Sequence, residues 1–188
     1  PPQAPAGTRW PSAVPGGSRR WIRLSASPKS PPEAFRDDLS AFVRALGLSP
    51  VDLIGHSMGG VAAYLLAACS PELVRRLVIE DAPPLVPLDP PRPPARREAG
   101  DLGFDWQVVP ALDAELNAPD PAWRESLRTI TAPTLVVGGG SSSHIPQDQL
   151  AQLAAIVPGA RLVTVDAGHL VHTARPEEFL AALEEFDI

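Results

Sequence analysis

The stretch VDLIGHSMGGVAAYLLAAC, residues 51–69, places a serine between two glycines where a short apolar run gives way to a longer one. The first four residues favour a buried strand, and the run from Gly59 to Cys69 favours a helix. Gly55, Ser57 and Gly59 fit the pattern G-x-S-x-G. A sharp strand-to-helix turn lifts a serine hydroxyl above a sheet and directs the next backbone N–H at developing negative charge. The pattern therefore predicts Ser57 as a nucleophile and the Met58 N–H as an oxyanion donor, with glycines where the turn leaves no room for side chains.

One amphipathic helix precedes this stretch, and apolar strands alternate with amphipathic helices after it. Strands are expected in RRLVIED (75–81), APTLVVGGG (132–140) and ARLVTVDAGH (160–169), and helices in residues 31–46, 145–159 and 175–186. Gly47 is expected to end the first helix. The inward faces are predicted to carry Phe35, Leu39, Phe42, Val43 and Leu46; Leu150, Leu153, Ala154 and Val157; and Phe179, Leu180, Leu183 and Phe186. The pattern predicts an α/β fold, a mostly parallel sheet covered by helices on both faces.

Composition excludes several classes of protein. The net charge of −6 and pI of about 5.2 argue against nucleic-acid binding, and no apolar run is long enough to span a membrane. A single cysteine, Cys69, precludes an internal disulfide framework and fits a cytoplasmic protein. Its position in an apolar run predicts a buried packing role. No group of His, Cys, Asp and Glu has metal-ligand spacing, so neither a metal nor an organic cofactor is expected.

Proline divides the chain. It accounts for 24 of 188 residues and is concentrated near the N-terminus and in a tract that begins at residue 83. Because proline removes a backbone donor and restricts φ, both regions are expected to be irregular, apart from one short strand in RWIRL (20–24). The predicted organisation is an irregular segment 1–30, a core of 31–82 and 129–188, and an insert of 83–128 with two short helices.

Three segments, IGHSMGG (54–60), APTLVVGGG (132–140) and DAGHLVHTARPEEFLAAL (166–183), resemble the α/β-hydrolase fold family, most closely its small bacterial esterases, lactonases and aminopeptidase-like members. The resemblance runs from about residue 31 to the end, with the insert in place of the family's cap. It implies that His169, in the AGH loop after an apolar strand, is the base. His172 is the competing base and is interpreted as a packing residue. His56 is expected to pack in the turn, and His144 lies either in the substrate site or on a surface loop.

The acid is where the chain departs from the family. By spacing, Ser142 occupies the usual aspartate position, and a serine can orient an imidazole but cannot balance its charge. Some family members carry the acid one strand earlier, which here is the IEDAP segment (79–83). Asp81 is therefore the candidate and Glu80 the second choice. The alternative is that both carboxylates cap the strand end or pair with Arg75 or Arg76.

The region before Ser57 is short for this family. It has room for one strand at most, and no His-Gly dipeptide, which often marks the second oxyanion donor, precedes Gly55. Val51–Ile54 is then expected to form an open apolar edge that favours self-association. Two explanations stay open: a truncated or mis-started gene product, or a short natural variant that completes its sheet through a partner.

The sequence thus predicts a serine hydrolase that cleaves a small ester, lactone, thioester or amide bearing an apolar part. Ser57, His169 and Asp81 are the predicted catalytic residues, and His56, Trp106 and His144 are the predicted substrate-binding residues. Trp106 and Trp123, with Leu112 and Leu116, supply either an apolar lid or the insert's own core. The rival hypothesis is a non-catalytic protein of the same fold, or an impaired fragment, that binds ligand without a complete oxyanion hole.

Overall fold

The computed structural model describes residues 30–97, 99–102 and 104–188. The predicted strand in RWIRL lies outside these residues. The helices are α1 (Pro31–Ala45), α2 (Met58–Cys69), α3 (Val108–Asn117), α4 (Pro121–Ser126), α5 (Gln147–Ile156), α6 (Val171–Ala174) and α7 (Pro176–Glu184). The strands are β1 (Val51–His56), β2 (Val74–Glu80), β3 (Thr134–Gly138) and β4 (Arg161–Thr164).

The four strands form one parallel sheet in the order β1-β2-β3-β4. Each connection between neighbouring strands contains a helix, as parallel pairing requires. At the carboxyl edge, His56 lies beside Glu80, and Glu80 lies beside Val137. The residues that follow β1, β2 and β3 therefore meet at one edge of the sheet, where ligands bind in open α/β folds.

Helices cover both faces of the sheet. Leu77 and Ile79 of β2 contribute to one apolar cluster with residues of α1, α2 and α5, whereas Val78 contributes to a second cluster with residues of α6 and α7. This separation follows from the period of two along a strand, which sends neighbouring side chains to opposite faces. The predicted fold class is confirmed.

Three residues predicted to face inward are exposed. Phe42 and Leu46 are 60% and 53% exposed, and Leu180 of α7 is 56% exposed. In α7 the buried positions are Phe179, Ala182 and Leu183, and Phe186, just after the helix, is also buried. Leu180 therefore lies about 100° around the helix from its buried neighbour. In α1 the contact with the core is made by Val43 and Leu39, and Leu46 lies beyond the last helical residue.

Cys69 was predicted to be buried and is exposed. It is the last residue of α2, and the guanidinium of Arg36 in α1 donates to its sulfur over 3.6 Å. The apolar run continues to the end of the helix, but the buried stretch ends earlier, at Ala67.

β1 is an outer strand of the four-stranded sheet in the described part of the chain. Within the described residues β1 pairs with β2 alone, and Ile54 on this strand is 44% exposed. Leu48, in the loop before β1, is also exposed. Residues 1–29 lie outside the described part of the chain, so the open apolar edge and self-association through it stay predictions.

The segment between β2 and β3 contains α3 and α4. Its proline-rich first part is attached to α3 by the Asn117 side chain, which accepts from the backbone N–H of Arg92 at 2.7 Å and donates to its carbonyl at 3.1 Å. Trp123 and Leu127 are 8% and 0% exposed and belong to the same apolar cluster as α2. Trp123 is therefore part of the main core, not of a lid or of a separate insert core. In the described part of the chain, no helix combines the length and apolar character needed to cross a membrane.

Candidate active site

Ser57 occupies a strained turn between β1 and α2. Its backbone has φ 53° and ψ −122°, a conformation that residues with a Cβ adopt rarely. The turn is supported on both sides: the Ser57 N–H donates to the Glu80 carbonyl at 3.0 Å, and the Ser57 carbonyl accepts from the Val61 N–H at 3.1 Å. The predicted strand-to-helix turn is present, with Met58 as the first helical residue.

Close packing at this turn requires glycine at positions 55 and 60. Only the first of these belongs to the G-x-S-x-G pattern. A Cβ on Gly55 would lie 2.5 Å from the Gly59 carbonyl oxygen, and one on Gly60 would lie 2.7 Å from the Ala82 Cβ. A Cβ on Gly59 itself would meet nothing within 4 Å. The expectation that Gly59 avoids a clash is therefore wrong, because its side-chain position faces open space at the start of α2.

The His169 ring connects Ser57 to Asp81. Its Nδ1 lies 2.8 Å from Oδ2 of Asp81, and its Nε2 lies 3.1 Å from Oγ of Ser57. A carboxylate can only accept, so Nδ1 carries the proton and donates to Asp81. Nε2 is then left as the acceptor for the Ser57 hydroxyl, which is the tautomer that lets a histidine take a proton from serine.

Asp81 is the most enclosed member of this chain of contacts. Its side chain is 0% exposed, and its φ of 45° is again in the left-handed region. Among the described non-glycine residues, positive φ occurs only at Ser57, Asp81 and Asp187. Strain of this kind persists only where the surroundings hold it, and it is concentrated at functional sites.

Several donors surround the Asp81 carboxylate. Its Oδ2 also accepts a short hydrogen bond from the Ser143 hydroxyl, and its Oδ1 accepts from the Gly139 N–H at 2.9 Å and from Nε2 of Gln147 at 3.4 Å. Burial alone raises the pKa of Asp81, but the hydrogen bonds from Ser143, His169 and Gly139 outweigh it and hold the pKa below 3.8. The carboxylate is therefore ionised at neutral pH.

The other candidate acids have different partners. Glu80, 2% exposed, accepts from Nδ1 of His172, which lies 2.9 Å from each carboxylate oxygen, and from the His172 backbone N–H at 2.9 Å. Ser142 donates to Asp166 at 3.1 Å and does not take the place of an acid beside His169. The alternative pairing with arginine is also wrong, since Arg75 and Arg76 both contact Asp52.

The remaining predicted site residues are His56, His144, Trp106 and Met58. The Nε2 of His56 donates to the His169 carbonyl at 2.8 Å, and the centres of their rings are 4.5 Å apart. His144 is exposed, with its ring centre 4.3 Å from that of His169. Trp106 lies half-buried in the turn before α3. The N–H of Met58, at the first position of α2, is one of the helix N-terminal donors that lack an intrahelical acceptor.

Sequence reasoning missed the partners of Asp81. Ser143 lies one residue beyond the position chosen by spacing, and Gln147 is the first residue of α5. The run of three serines after β3 was a usable signal, since a hydroxyl near a buried carboxylate is an expected donor. The choice among the three depends on the 3-10 turn Gly140–Ser142, which no residue pattern specified.

No group of three or more His, Cys, Asp and Glu side chains in the described residues is arranged to hold a metal ion. A surface groove lies between β4 and α7, lined in part by Val163, Arg175 and Glu178. Ser57, Asp81 and His169 are not among its lining residues. The groove is thus separate from the arrangement described above.

Comparison with known proteins identifies the family. Residues 8–182 match the sequence model of the alpha/beta hydrolase family. The chain belongs to the alpha/beta hydrolase family. The match begins at residue 8, whereas the resemblance based on the three motifs began at about residue 31. The family match therefore includes most of the N-terminal segment.

Curated relatives of this alpha/beta hydrolase carry enzyme names. Over 208 residues it is 29% identical to the mouse sn-1-specific diacylglycerol lipase ABHD11, covering 85% of this chain and 66% of the lipase. Over 205 residues it is 34% identical to Lipase LipV of Mycobacterium tuberculosis, covering 84% of this chain and 77% of LipV. The chain spans 66% and 65% of the lengths of the mouse and zebrafish diacylglycerol lipases.

Solved structures agree on the fold. The enol-lactonase of Burkholderia xenovorans aligns with a TM-score of 0.63 at 19% identity, over 85% of this chain and 75% of the lactonase. The structure of Rv0554 from Mycobacterium tuberculosis aligns with a TM-score of 0.63 at 24% identity, over 82% of this chain and 71% of the other. At these identities the likeness bears on the fold alone.

Proposed function

We propose that this alpha/beta hydrolase is a serine hydrolase that works through an acyl-enzyme. The observation that carries the proposal is the continuous chain of contacts from Oγ of Ser57 to the His169 ring, at 3.1 Å, and on to the buried Asp81, at 2.8 Å. A hydroxyl becomes an effective nucleophile when a base within hydrogen-bond reach removes its proton and a third group orients that base.

In the proposed reaction, Oγ of Ser57 attacks the substrate carbonyl carbon while Nε2 of His169 takes the hydroxyl proton. The negative charge on the carbonyl oxygen is stabilised by the Met58 N–H at the start of α2, where the helix dipole also favours negative charge. His169 then gives its proton to the leaving group, and the acyl group stays on Ser57. Water, deprotonated by His169, then attacks the acyl carbon, and His169 returns that proton to Oγ of Ser57 as the bond to the acyl group breaks and the acid leaves.

Asp81 is proposed to hold His169 in the Nδ1–H tautomer and to stabilise the imidazolium that forms during each transfer. Its low pKa keeps it ionised while the ring gains charge. No acid is needed at position 142, where the chain has serine, because Asp81, directly after β2, supplies the carboxylate.

The substrate is proposed to be a small ester, lactone, thioester or amide with an apolar part. The names of the sequence relatives, which are lipases, support ester substrates of this kind. Exposed His144 and half-buried Trp106 are proposed to contact the substrate, and the His56 ring is proposed to line the site. The protein is proposed to act in the cytoplasm without a cofactor, with self-association through the β1 edge as a further proposal.

The test uses the whole chain with an activated p-nitrophenyl butyrate ester and a fluorophosphonate probe. We expect a burst of p-nitrophenol equal to the amount of protein, and covalent labelling that mass spectrometry maps to Ser57. Both signals should vanish in Ser57→Ala and persist in Ser49→Ala. Ser49 is a suitable control because it is exposed and lies before the opposite, amino-terminal end of β1.

A folded chain that shows neither burst nor labelling would contradict the proposal. Circular dichroism establishes the fold in that case. If the same protein still bound a non-reactive ester analogue, ligand binding without turnover would be the better description.

A further inference from the structure

The carboxylates of Glu80, the last residue of β2, and of Asp81, the next residue, contact two different histidines, one in the loop after β4 and one in α6, which follows that loop directly. Asp81 contacts His169, and its neighbour Glu80 contacts His172. Glu80 is almost fully buried, yet both of its carboxylate oxygens lie 2.9 Å from Nδ1 of His172. A buried carboxylate is stable only when it is paired and hydrogen-bonded. The His172 contacts supply this partner for Glu80.

Glu80 also supports the serine turn. Its backbone carbonyl accepts the N–H of Ser57 at 3.0 Å, while its side chain accepts the N–H of His172 at 2.9 Å. One residue therefore contacts both segments that must meet for Oγ of Ser57 to reach Nε2 of His169. The strand register makes this possible, since Glu80 lies directly beside His56, the residue before Ser57.

The loop that carries His169 needs such support, because residues 165–170 form neither helix nor strand. On one side, the N–H groups of Ala167 and Gly168 donate to the Gly139 carbonyl at 3.0 and 2.8 Å. On the other side, α6 follows the loop directly, and Glu80 of β2 contacts the second residue of that helix, His172. His169 lies between these two attachments.

We propose that Glu80 and His172 are positioning residues for the hydrolase reaction: their pair holds the His169 loop at hydrogen-bonding distance from Ser57. This rests on the proposed function, because it assigns a role in the same reaction. The effect is on placement, so loss of the pair should lower kcat and leave KM nearly unchanged.

Two substitutions at His172 separate the hydrogen bond from the ring. His172→Phe keeps an aromatic ring that can pack near Phe179, whose ring centre lies 6.3 Å from that of His172. It keeps the backbone N–H that donates to Glu80 but loses the side-chain donor. His172→Asn loses the ring and keeps a side-chain N–H donor. The position is partly exposed, with 44% of the side chain accessible to solvent.

We expect kcat for p-nitrophenyl butyrate to fall between about tenfold and 10²-fold in His172→Phe. His172→Asn should stay within about twofold to threefold of the parent, and KM should change little in both. Arg75→Ala is the matched control, because Arg75 lies at the amino-terminal end of the same strand and pairs with Asp52. The reverse pattern, or an unchanged kcat in His172→Phe, would overturn the proposal.

If His172→Phe does not fold because Glu80 is left buried beside an apolar ring, the double variant with Glu80→Gln removes that charge. The double variant should show the same loss of kcat, and parental kcat in it would count against the proposal. Thermal unfolding of each variant identifies the folded samples.

A spectroscopic readout separates this proposal from the proposed function. In the native chain labelled with ¹⁵N-histidine, the Nδ1–H of His169 bound to Asp81 should give a downfield proton signal that Asp81→Asn abolishes. His172→Phe should shift or broaden that signal, and His172→Asn should retain it. A chain without burst or Ser57 labelling refutes the function, whereas an unperturbed signal in His172→Phe refutes the positioning role.

Discussion

The Nε2 of His56 lies 2.8 Å from the backbone carbonyl oxygen of His169. A carbonyl oxygen can only accept, so Nε2 carries the proton. Through this hydrogen bond, His56, the neighbour of Ser57 in the chain, holds the backbone of His169, whose ring contacts the Ser57 hydroxyl. The relationship ties the serine turn to the histidine loop independently of the contact between the two side chains.

The His56 contact predicts the behaviour of two variants. His56→Leu leaves the carbonyl of His169 without this donor and should lower kcat by about tenfold through misplacement of the ring. His56→Gln, whose amide N–H can reach a similar position, should retain most of the activity. Steady-state kinetics and the rate of fluorophosphonate labelling measure both; equal activity in the Leu and Gln variants would show that the hydrogen bond is unimportant.

Asp81→Asn should lower kcat by up to about 10⁴ and leave substrate binding largely intact. An amide has the right shape but favours the wrong tautomer of His169, since it can donate to Nδ1 as well as accept. Asp166→Asn serves as the control, because Asp166 contacts Ser142 and Ser141 outside the Ser57–His169 chain. Comparable losses in the two variants would argue against the assignment of Asp81.

The lowered pKa of Asp81 predicts a pH dependence of stability. The folded protein holds this carboxylate ionised below the ordinary pKa of 3.8, so the unfolded chain binds more protons in that range. The stabilisation is therefore complete above 3.8 and is lost as the pH falls through the folded-state pKa. The difference in Tm between the native protein and Asp81→Asn should be largest near neutral pH and shrink on acidification. A difference that grows towards acid pH would have the wrong sign.

The glycines around Ser57 should differ sharply in their tolerance of alanine. Gly60→Ala brings a Cβ to 2.7 Å from the Ala82 Cβ and should destabilise the fold or abolish labelling of Ser57. Gly59→Ala meets open space and should leave Tm unchanged or slightly raised, because alanine gains up to about 1 kcal/mol over glycine in a helix. Thermal unfolding and labelling of the two variants provide the comparison, and equal damage from both would contradict the packing described here.

The segment after α4 should behave as core. Leu127 is 0% exposed and lies in the apolar cluster with α2, so Leu127→Ala should lower the free energy of unfolding by about 2–5 kcal/mol. Leu180→Ala, at a site that is 56% exposed, should cost far less. Denaturant unfolding measures both. A small loss at Leu127 would instead favour a segment that detaches as a lid.

Much of the fold follows from local pattern. The apolar strands at 51–56, 74–80, 134–138 and 161–164 were predicted within a few residues, because unbroken apolar runs between turn signals favour buried parallel strands. Helix faces were less accurate. Phe42 and Leu180 satisfy an amphipathic spacing yet face away from the core, since the spacing marks a wide stripe and the neighbouring element contacts only part of it.

The candidate site was likewise predictable from local pattern only in part. Ser57 and His169 were identified from motifs and are brought within 3.1 Å of each other. The sequence ranked Asp81 before Glu80 as the acid but could not assign their partners, because the two carboxylates are adjacent at the end of the same expected strand. Their roles depend on backbone direction: the φ of 45° at Asp81 turns the chain so that its carboxylate meets His169, while Glu80 meets His172.

The sequence by itself determined which groups arrive at the carboxyl edge of the sheet. Hydrophobic periodicity sets the strands and glycine spacing marks the turn, and both are local properties. The tertiary structure alone decided which acid binds which histidine. It also decided that the hydroxyl of Ser143, not that of Ser142, donates to Asp81, and that Trp123 belongs to the main core. Those outcomes depend on hydrogen-bond directions and on packing between segments distant in sequence, at a precision of about an ångström that no residue pattern encodes.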